Sequence, residues 1–255
     1  MSTYVYGITA ASHPAVPEGL GGVGDPPMQI RVLREDTGEL AAIVSDAPEN
    51  LRPKRKDLLA HQNVLAEAGA EGCVLPMRFG SVAPDDSAVT AVLTERLEHY
   101  KERLAALDNK VEYNVKASHI EEAVLHQVMA DSPELRGMAE ANRQAGGGTY
   151  EQRLQLGEMV AAAVKAREAT DAAEVRETLE PLAADVEAGP ESTGWLANVS
   201  FLVDRDSAAR FLEAAEALRE SHPYLEVRVN GPLPPYSFVE PGPAKPAVPS
   251  AEHAV

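Results

Sequence analysis

The stretch Cys73-Val-Leu-Pro-Met-Arg-Phe-Gly80 is a short apolar run that ends in glycine and has a helical pattern on either side. Every second residue from Cys73 to Phe79 is apolar, which is typical of a strand with one face in the core. Because proline has no N–H to donate, Pro76 is expected at a sheet edge or a bulge. Arg78 is expected to project away from the core. The stretch therefore predicts a strand whose second face is irregular and polar, as at a sheet edge or under a partner.

The segments around this stretch alternate between strand and helix patterns. The predicted elements are, in chain order, a strand at 4–10, a hairpin of strands at 28–33 and 40–45, a helix at 58–68, the strand at 73–80, a helix at 89–107 and a strand at 111–117. This order places helices over one face of a sheet. Residues 1–118 are therefore predicted to form an α+β domain close to the ferredoxin-like arrangement.

From residue 119 the chain is mainly helical before a second strand–helix–strand pattern. Ser118 and Glu121 have the spacing of a capping box, which predicts a helix to about Ala130. The later predictions are a helix from Pro133, a long helix or helical hairpin at 150–186, a strand at 195–203, a helix at 207–220 and a strand at 224–229. Residues 119–239 are thus predicted as a second α+β domain with long helices. The Pro-rich segment 240–255 is predicted to be a disordered tail.

Charge and composition limit the class of protein. The 255 residues are 44% hydrophobic and carry a net charge of −17, with the acidic residues spread along the chain. A general nucleic-acid binder needs a basic face, so this class is excluded, and the acidity is interpreted as a solubilising surface. A single cysteine allows no internal disulfide, which favours the cytoplasm. The sequence shows neither a signal-peptide pattern nor an apolar run of membrane-spanning length.

One local exception to the acidity is a basic segment, Arg52, Lys54, Arg55 and Lys56, directly before the helix that is predicted from Leu58. Cations at this end of a helix oppose the helix dipole. The simplest interpretation is a solvated helix start. The functional alternative is a docking patch for an acidic partner.

The residues that are candidates for catalysis or metal binding do not form a site. Gly19-Leu-Gly-Gly-Val-Gly24 fits the G-x-G-x-x-G pattern, but Asp25-Pro-Pro27 follows it where a phosphate-binding loop needs a helix. His119, Glu122 and His126 are spaced to share a helix face, yet the H-E-x-x-H arrangement is absent, and exposed polar residues are the simpler interpretation. The only cysteine lies on the apolar side of its strand, where a thiol is inert. The sequence therefore predicts no enzymatic activity, no cofactor and no metal.

Several motifs together resemble the gas vesicle protein F/L family. The segments that carry the resemblance are Tyr4-Val-Tyr-Gly-Ile8, Leu40-Ala-Ala-Ile-Val-Ser45, His61-Gln-Asn-Val64, Val74-Leu-Pro-Met-Arg-Phe-Gly80, Val111-Glu-Tyr-Asn-Val-Lys116 and Gly231-Pro-Leu-Pro-Pro-Tyr-Ser-Phe238. They follow one another in the order of the family and extend over roughly residues 3–239. Several motifs in order are more specific than any one of them alone.

The resemblance implies an accessory or minor protein of gas vesicle formation and buoyancy, in the cytoplasm and at the gas vesicle, with no catalysed reaction. It implies contacts with the apolar shell protein and with other accessory proteins. We expect the contact surface at the basic segment and at Pro76, Arg78, Phe79 and Gly80, because an exposed strand edge suits such a partner. Two alternatives stay open, a ferredoxin-like small-molecule sensor or enzyme and a coiled-coil scaffold formed by residues 150–186.

Overall fold

The computed structural model describes residues 2–14, 19–190 and 193–240, and the chain divides into two compact units. Unit 1 comprises Met1–Asp108 together with the C-terminal residues from Pro234, and unit 2 comprises Asn109–Leu233. Both units combine helices with an antiparallel sheet, so the predicted α+β class is confirmed. The predicted division at 118 and 239 differs from this one, because 109–118 belongs to unit 2 and 234–239 to unit 1. Of the predicted tail, residues 241–255 lie outside the described residues.

Unit 1 is built on a sheet in which β1 is central. Its elements are β1 (Thr3–Ala10), β2 (Arg31–Arg34), β3 (Leu40–Asp46), α1 (Arg55–Glu71), β4 (Leu75–Pro76), β5 (Val82–Ala83), α2 (Asp86–Glu95) and α3 (Leu97–Leu107). The strand order is β2-β3-β1-β4, and β5 also pairs with β1. β1 and β3 are buried along almost their whole length, because both are apolar and lie inside the sheet. The predicted hairpin is confirmed, with β2 confined to four residues.

The predicted strand from Cys73 to Gly80 is wrong in length and in its alternation. Only β4 is a strand within it, and pairing with β1 resumes at β5 after a turn. Three consecutive residues from Val74 to Pro76 are buried, because this short edge segment contacts the core on both of its faces. The predicted edge position of Pro76 is confirmed, since β4 ends the strand order on its side.

The predicted helix over 89–107 is two helices, α2 and α3, that meet at Arg96. The backbone of Arg96 leaves helical geometry at φ −110° and ψ 25°. Asp85 begins α2, and its side chain accepts a hydrogen bond from the Ala88 amide at 2.8 Å. Of the apolar positions behind this prediction, Leu97 is half-buried, and the buried ones are Val89, Leu93, Tyr100, Leu104 and Leu107.

Unit 2 contains the second sheet, with the order β7-β8-β6-β9. Its elements are β6 (Lys110–His119), α4 (Glu121–Asp131), α5 (Pro133–Gln144), α6 (Tyr150–Leu179), β7 (Asp185–Ala188), β8 (Ala197–Asp204), α7 (Ala208–Ser221) and β9 (Leu225–Leu233). β6 pairs with β8 on one side and β9 on the other, which is why residues 110–119 belong here. The core lies between the sheet and α4, α6 and α7.

Two helix predictions in unit 2 need correction. The strand β6 continues to His119, so Ser118 lies in a strand and does not cap α4. α6 is one helix of 30 residues that ends at Leu179, and residues 185–188 of the predicted long helix form β7 instead. The capping box of this unit is at α6, where Thr149 and Gln152 bond each other's backbone amides. Across the described residues, none of the helices has both the length and the apolar content to cross a bilayer.

Candidate functional site

The two predicted contact segments flank one aromatic cluster in unit 1, formed by Tyr4, Tyr6, His61 and Phe79. The Tyr4 ring lies edge-on to Phe79 at 6.1 Å and to His61 at 5.7 Å, measured between ring centroids. His61 is stacked on Tyr6 at 5.5 Å. Leu51, the residue directly before the basic segment, packs against the same buried cluster as Phe79. The fold thus brings together two segments that are separated by about one helix in the sequence.

A chain of hydrogen bonds holds this cluster in one arrangement. The Gly80 amide donates to the Tyr4 hydroxyl at 3.2 Å, and that hydroxyl lies 2.9 Å from Nδ1 of His61. Nε2 of His61 lies 3.0 Å from the Met77 carbonyl, which can only accept. The proton of His61 is therefore on Nε2, and the Tyr4 hydroxyl donates to Nδ1. Both nitrogens of the imidazole are thus occupied by internal partners.

Burial shifts the acid–base equilibria of this cluster. Desolvation lowers the pKa of His61, although its bond to the Met77 carbonyl opposes this shift. Desolvation likewise raises the pKa of Tyr4 and of Tyr6. The Tyr6 hydroxyl accepts from the Val23 amide at 2.9 Å and lies 3.1 Å from the Ser45 hydroxyl. At neutral pH the cluster is therefore uncharged and fully hydrogen-bonded, as expected of a structural core rather than a proton-transfer site.

The segment after β4 is a tight turn that begins at Arg78. The Ser81 amide donates to the Arg78 carbonyl at 3.2 Å, and Gly80 has φ +90°. This is the position of a type II turn that requires a positive φ, which explains the glycine. The Met77 amide donates to Tyr6 and the Ser81 carbonyl accepts from Val5, so the sheet continues on both sides of the turn.

The four predicted contact residues of this segment differ in how far their side chains are exposed. Pro76 is buried in β4, and Phe79 is half-buried against the aromatic cluster. Gly80 is exposed, but its conformation and its amide serve the turn. Only the Arg78 side chain projects freely into solvent. Of the four residues in this segment, Arg78 therefore has the most accessible side chain.

The basic segment lies at the N-terminus of α1 and is exposed. Lys56 pairs with Asp25 at 2.9 Å, and this contact lowers the pKa of Asp25. Among the residues that the structure describes, Arg52, Lys54 and Arg55 make no ion pair. The side chains of Arg52, Lys54 and Arg55 are exposed, and the charge of Lys54 acts with Lys56 to lower the pKa of Asp25.

Two exposed leucines of the helix that the sequence predicts over 58–68 extend this basic surface. Leu58 is 36% exposed and Leu59 is 46% exposed, one turn after the basic segment. The buried face of α1 is formed instead by Asp57, His61, Val64, Leu65 and Ala68. Asp57 and His61 replace the leucines there because each is hydrogen-bonded, Asp57 to the Gly24 amide at 2.9 Å. Positions 57, 61, 64, 65 and 68 recur at the period of a helix, which could have predicted the buried face. The pattern is hard to recognise because Asp57 and His61 are polar.

The remaining candidates for catalysis or metal binding lie apart from one another or already form internal hydrogen bonds. His119 ends β6 and lies 2.7 Å from Asp171, whereas Glu122 and His126 are exposed on α4. The Cys73 thiol lies 3.4 Å from the Leu104 carbonyl. In residues 2–14, 19–190 and 193–240, no three His, Cys, Asp or Glu side chains are grouped as metal ligands.

Comparison with known sequences gives agreement over nearly the whole chain. A family model described as Gas vesicle synthesis protein GvpL/GvpF matches residues 2–240. Gas vesicle protein F of Streptomyces sp. (strain CB03234) is 68% identical over 240 residues, covering 94% of this chain and 100% of that protein. Gas vesicle protein L of the same strain is 29% identical, covering 92% of this chain and 91% of that protein.

Solved structures share the fold. The crystal structure of the gas vesicle protein GvpF from Microcystis aeruginosa has a TM-score of 0.69 at 23% identity and covers 94% of this chain and 99% of that one. The crystal structure of the gas vesicle protein GvpF from Anabaena sp. PCC7120 has a TM-score of 0.71 at 22% identity and covers 96% and 98%. At this identity the likeness establishes the architecture.

Proposed function

Because this chain belongs to the gas vesicle GvpL/GvpF family and so takes part in gas vesicle formation, we propose that it acts there by binding the apolar shell protein and other gas vesicle proteins, without catalysing a reaction. The binding surface is the exposed start of α1, which combines Leu58 and Leu59 with the basic segment. The observation that carries the proposal is this pairing of exposed leucines with exposed cations, of which Arg52, Lys54 and Arg55 form no ion pair in the described part of the chain.

The chemistry of this surface specifies its partner. Covering exposed leucines with a second apolar surface stabilises the complex by about 25 cal/mol for each Å² that is buried. Arg52, Lys54 and Arg55 favour a partner whose apolar surface is bordered by carboxylates, and they repel a basic one. A shell protein that is strongly apolar is liable to aggregate before it assembles. An acidic, well-solvated chain that covers it transiently would prevent this.

Arg78 is a second contact in the proposal. Its turn is held by the Tyr4–His61 hydrogen bonds, so the side chain is presented from a rigid support. A rigid support lowers the entropy that is lost on binding. The sheet edge itself offers little for strand addition, because proline and the turn interrupt β4 and β5.

The sensor or enzyme alternative is less favoured by the chemistry of unit 1. The titratable groups with shifted pKa values in its aromatic cluster are Tyr4, Tyr6 and His61, and all three are engaged in internal hydrogen bonds. A catalytic acid or base must reach a substrate atom. A role in assembly also suits a location in the cytoplasm and at the gas vesicle, which we include in the proposal.

The test is co-precipitation of the shell protein with variants of this chain. Replacing Leu58 and Leu59 with Ser, or Arg52, Lys54 and Arg55 with Gln, is expected to weaken binding by about tenfold or more, as for central interface residues. Val92→Ser on α2 is the matched control, since Val92 is 44% exposed and lies outside the proposed surface. Unchanged binding by both variants, with the fold intact, would refute this surface. Failure of the unaltered chain to bind any gas vesicle protein would refute the function.

A further inference from the structure

Unit 2 contains a cleft of about 410 Å³ beside the only tryptophan of the chain. It lies between α6, the residues after β7 and the start of β8. The residues that define it are Ala172, Arg176, Pro190, Trp195, Asn198 and Val199. Its walls are mainly apolar, with Arg176 and Asn198 as the polar side chains. A cleft of this size accommodates one bulky side chain of a partner.

The walls of the cleft are fixed by internal bonds. The Asn198 side chain donates to the Pro190 carbonyl at 3.0 Å and accepts from the Asn114 amide group at 3.2 Å. The Gly189 amide donates to the Asn198 carbonyl at 2.8 Å. A Cβ at Gly189 would lie 2.5 Å from the Asn198 side chain, so only glycine permits this approach. The cleft is therefore preformed, and binding there costs little reorganisation.

Two cations lie against the same indole ring. The Lys116 ammonium is 5.6 Å from the ring centroid of Trp195, and the Arg228 guanidinium is 5.2 Å from it. Lys116 and Arg228 are directly opposed across β6 and β9, where like charges repel. The negative face of the indole partly offsets this repulsion, and an anionic ligand would offset it further.

Arg176, which lines the cleft, and Arg228, which lies on the Trp195 ring, form only weak ion pairs. Arg176 pairs with Glu180 at 2.9 Å, and both side chains are about half exposed. Arg228 pairs with Glu226, again in a half-exposed position. Exposed pairs of this kind contribute little, so a ligand carboxylate can replace them. Lys116 has no ion pair within the described part of the chain.

We propose that this cleft binds a short acidic segment of a partner polypeptide, with one apolar side chain in the cleft. Its carboxylates contact Arg176 in the lining and, across the Trp195 ring, Lys116 and Arg228. The three cations give local charge complementarity to carboxylates in a chain of net charge −17. The apolar walls distinguish this ligand from a nucleic acid, whose evenly spaced phosphates the overall charge repels. The site is in unit 2 and is independent of the surface proposed on α1.

Trp195 reports on this site alone, because the chain has no other tryptophan. The probe is the peptide acetyl-Glu-Glu-Leu-Glu-Glu-amide, titrated into the full chain at low salt while indole fluorescence is recorded. We expect a saturable change in emission with a dissociation constant on the order of 1 mM, as for one buried leucine and a few exposed ion pairs. Replacing the peptide's Leu with Ala, or its Glu residues with Gln, should weaken binding about tenfold.

The protein variant Lys116→Gln with Arg176→Gln should weaken binding of the peptide by a similar factor. Arg210→Gln with Lys165→Gln is the control, since both residues are exposed in unit 2 outside the cleft, and it should leave the titration unchanged. No saturable emission change at several times the expected constant would overturn the proposal. So would equal responses of the two variants, or an oligonucleotide that changes the emission when the peptide does not.

Discussion

The hydroxyl oxygen of Tyr4 lies 2.9 Å from Nδ1 of His61, and this hydrogen bond joins β1 to α1 in the core of unit 1. The same hydroxyl accepts from the Gly80 amide, so the turn that carries Arg78 depends on it. A contact of this kind, between residues far apart in the chain, fixes a local turn that its own sequence does not fully specify.

Tyr4→Phe should therefore destabilise unit 1 although it changes one atom. It leaves Nδ1 of His61 and the Gly80 amide without their partner, which costs about 1–3 kcal/mol of unfolding free energy. Urea unfolding followed by circular dichroism measures the change. Tyr150→Phe is the control, since that side chain is 72% exposed, and should leave the midpoint unchanged. Equal midpoints for the two variants would show that the Tyr4 hydroxyl is dispensable.

The stability of unit 1 should fall as the pH falls below about 6.5, the ordinary pKa of histidine. Burial lowers the pKa of His61 in the folded chain, so protons bind the unfolded chain more readily. The stability that the neutral imidazole gives the folded chain is complete above pH 6.5. It is lost as the pH falls toward the lower pKa that His61 has in the folded chain. The measurement is the urea midpoint of the intact chain between pH 8 and about pH 5. His61→Gln should have a smaller acid dependence, and an unchanged dependence would assign the effect to other groups.

The β2–β3 turn should stay folded to a lower pH than it would if Glu35 had the ordinary pKa of a glutamate. Glu35 is buried, which by itself raises its pKa, but bonds from Thr37, Glu39 and Leu40 lower it to about 2. A lowered carboxyl pKa gives stability that is complete above 4.5 and is lost as the pH falls toward 2.

Amide hydrogen exchange at Glu39 and Leu40 measures this local effect. Protection should persist to about pH 3 in the unaltered chain and be reduced in Glu35→Gln, which has one acceptor oxygen fewer. Asp36→Asn, at an exposed position of the same turn, is the control. Equal protection in both variants would contradict the role of the Glu35 carboxylate.

The sequence predicted most elements because their apolar residues recur at the period of a helix or a strand. The prediction failed where the position of a segment or side chain depends on residues that are distant in the sequence. β6 was predicted correctly as a strand, but its neighbours β8 and β9 begin at Ala197 and Leu225, far along the chain, so its sheet was assigned wrongly. Leu58 and Leu59 are apolar yet exposed, whereas the polar Asp57 and His61 occupy the core through bonds to Gly24 and Tyr4. Periodicity carries no information about such partners.

Gly22 and Gly157 should respond to alanine in opposite directions. A Cβ at Gly22 would lie 2.4 Å from the Tyr6 hydroxyl and 2.9 Å from the Met28 carbonyl, so Gly22→Ala should cost about 1–3 kcal/mol. A Cβ at Gly157 meets nothing within 4 Å in α6, so Gly157→Ala should stabilise by about 0.5–1 kcal/mol. Thermal unfolding of the two variants measures both signs. A tolerated Gly22→Ala would mean that the Tyr6 environment adapts more easily than its hydrogen bonds indicate.

Arg78 and Phe79 are adjacent, and their replacement by alanine should separate binding from stability. Arg78→Ala removes an exposed side chain, so its unfolding free energy should stay within about 0.5 kcal/mol of the unaltered chain while co-precipitation of the shell protein decreases. Phe79→Ala removes a half-buried ring that contacts Tyr4 and His61, so it should cost about 2 kcal/mol or more. Any loss of binding by Phe79→Ala should be no greater than its loss of folded protein. If Arg78→Ala binds normally while folded Phe79→Ala does not, the ring and not the guanidinium is the contact, and the turn presents a different residue from the one proposed.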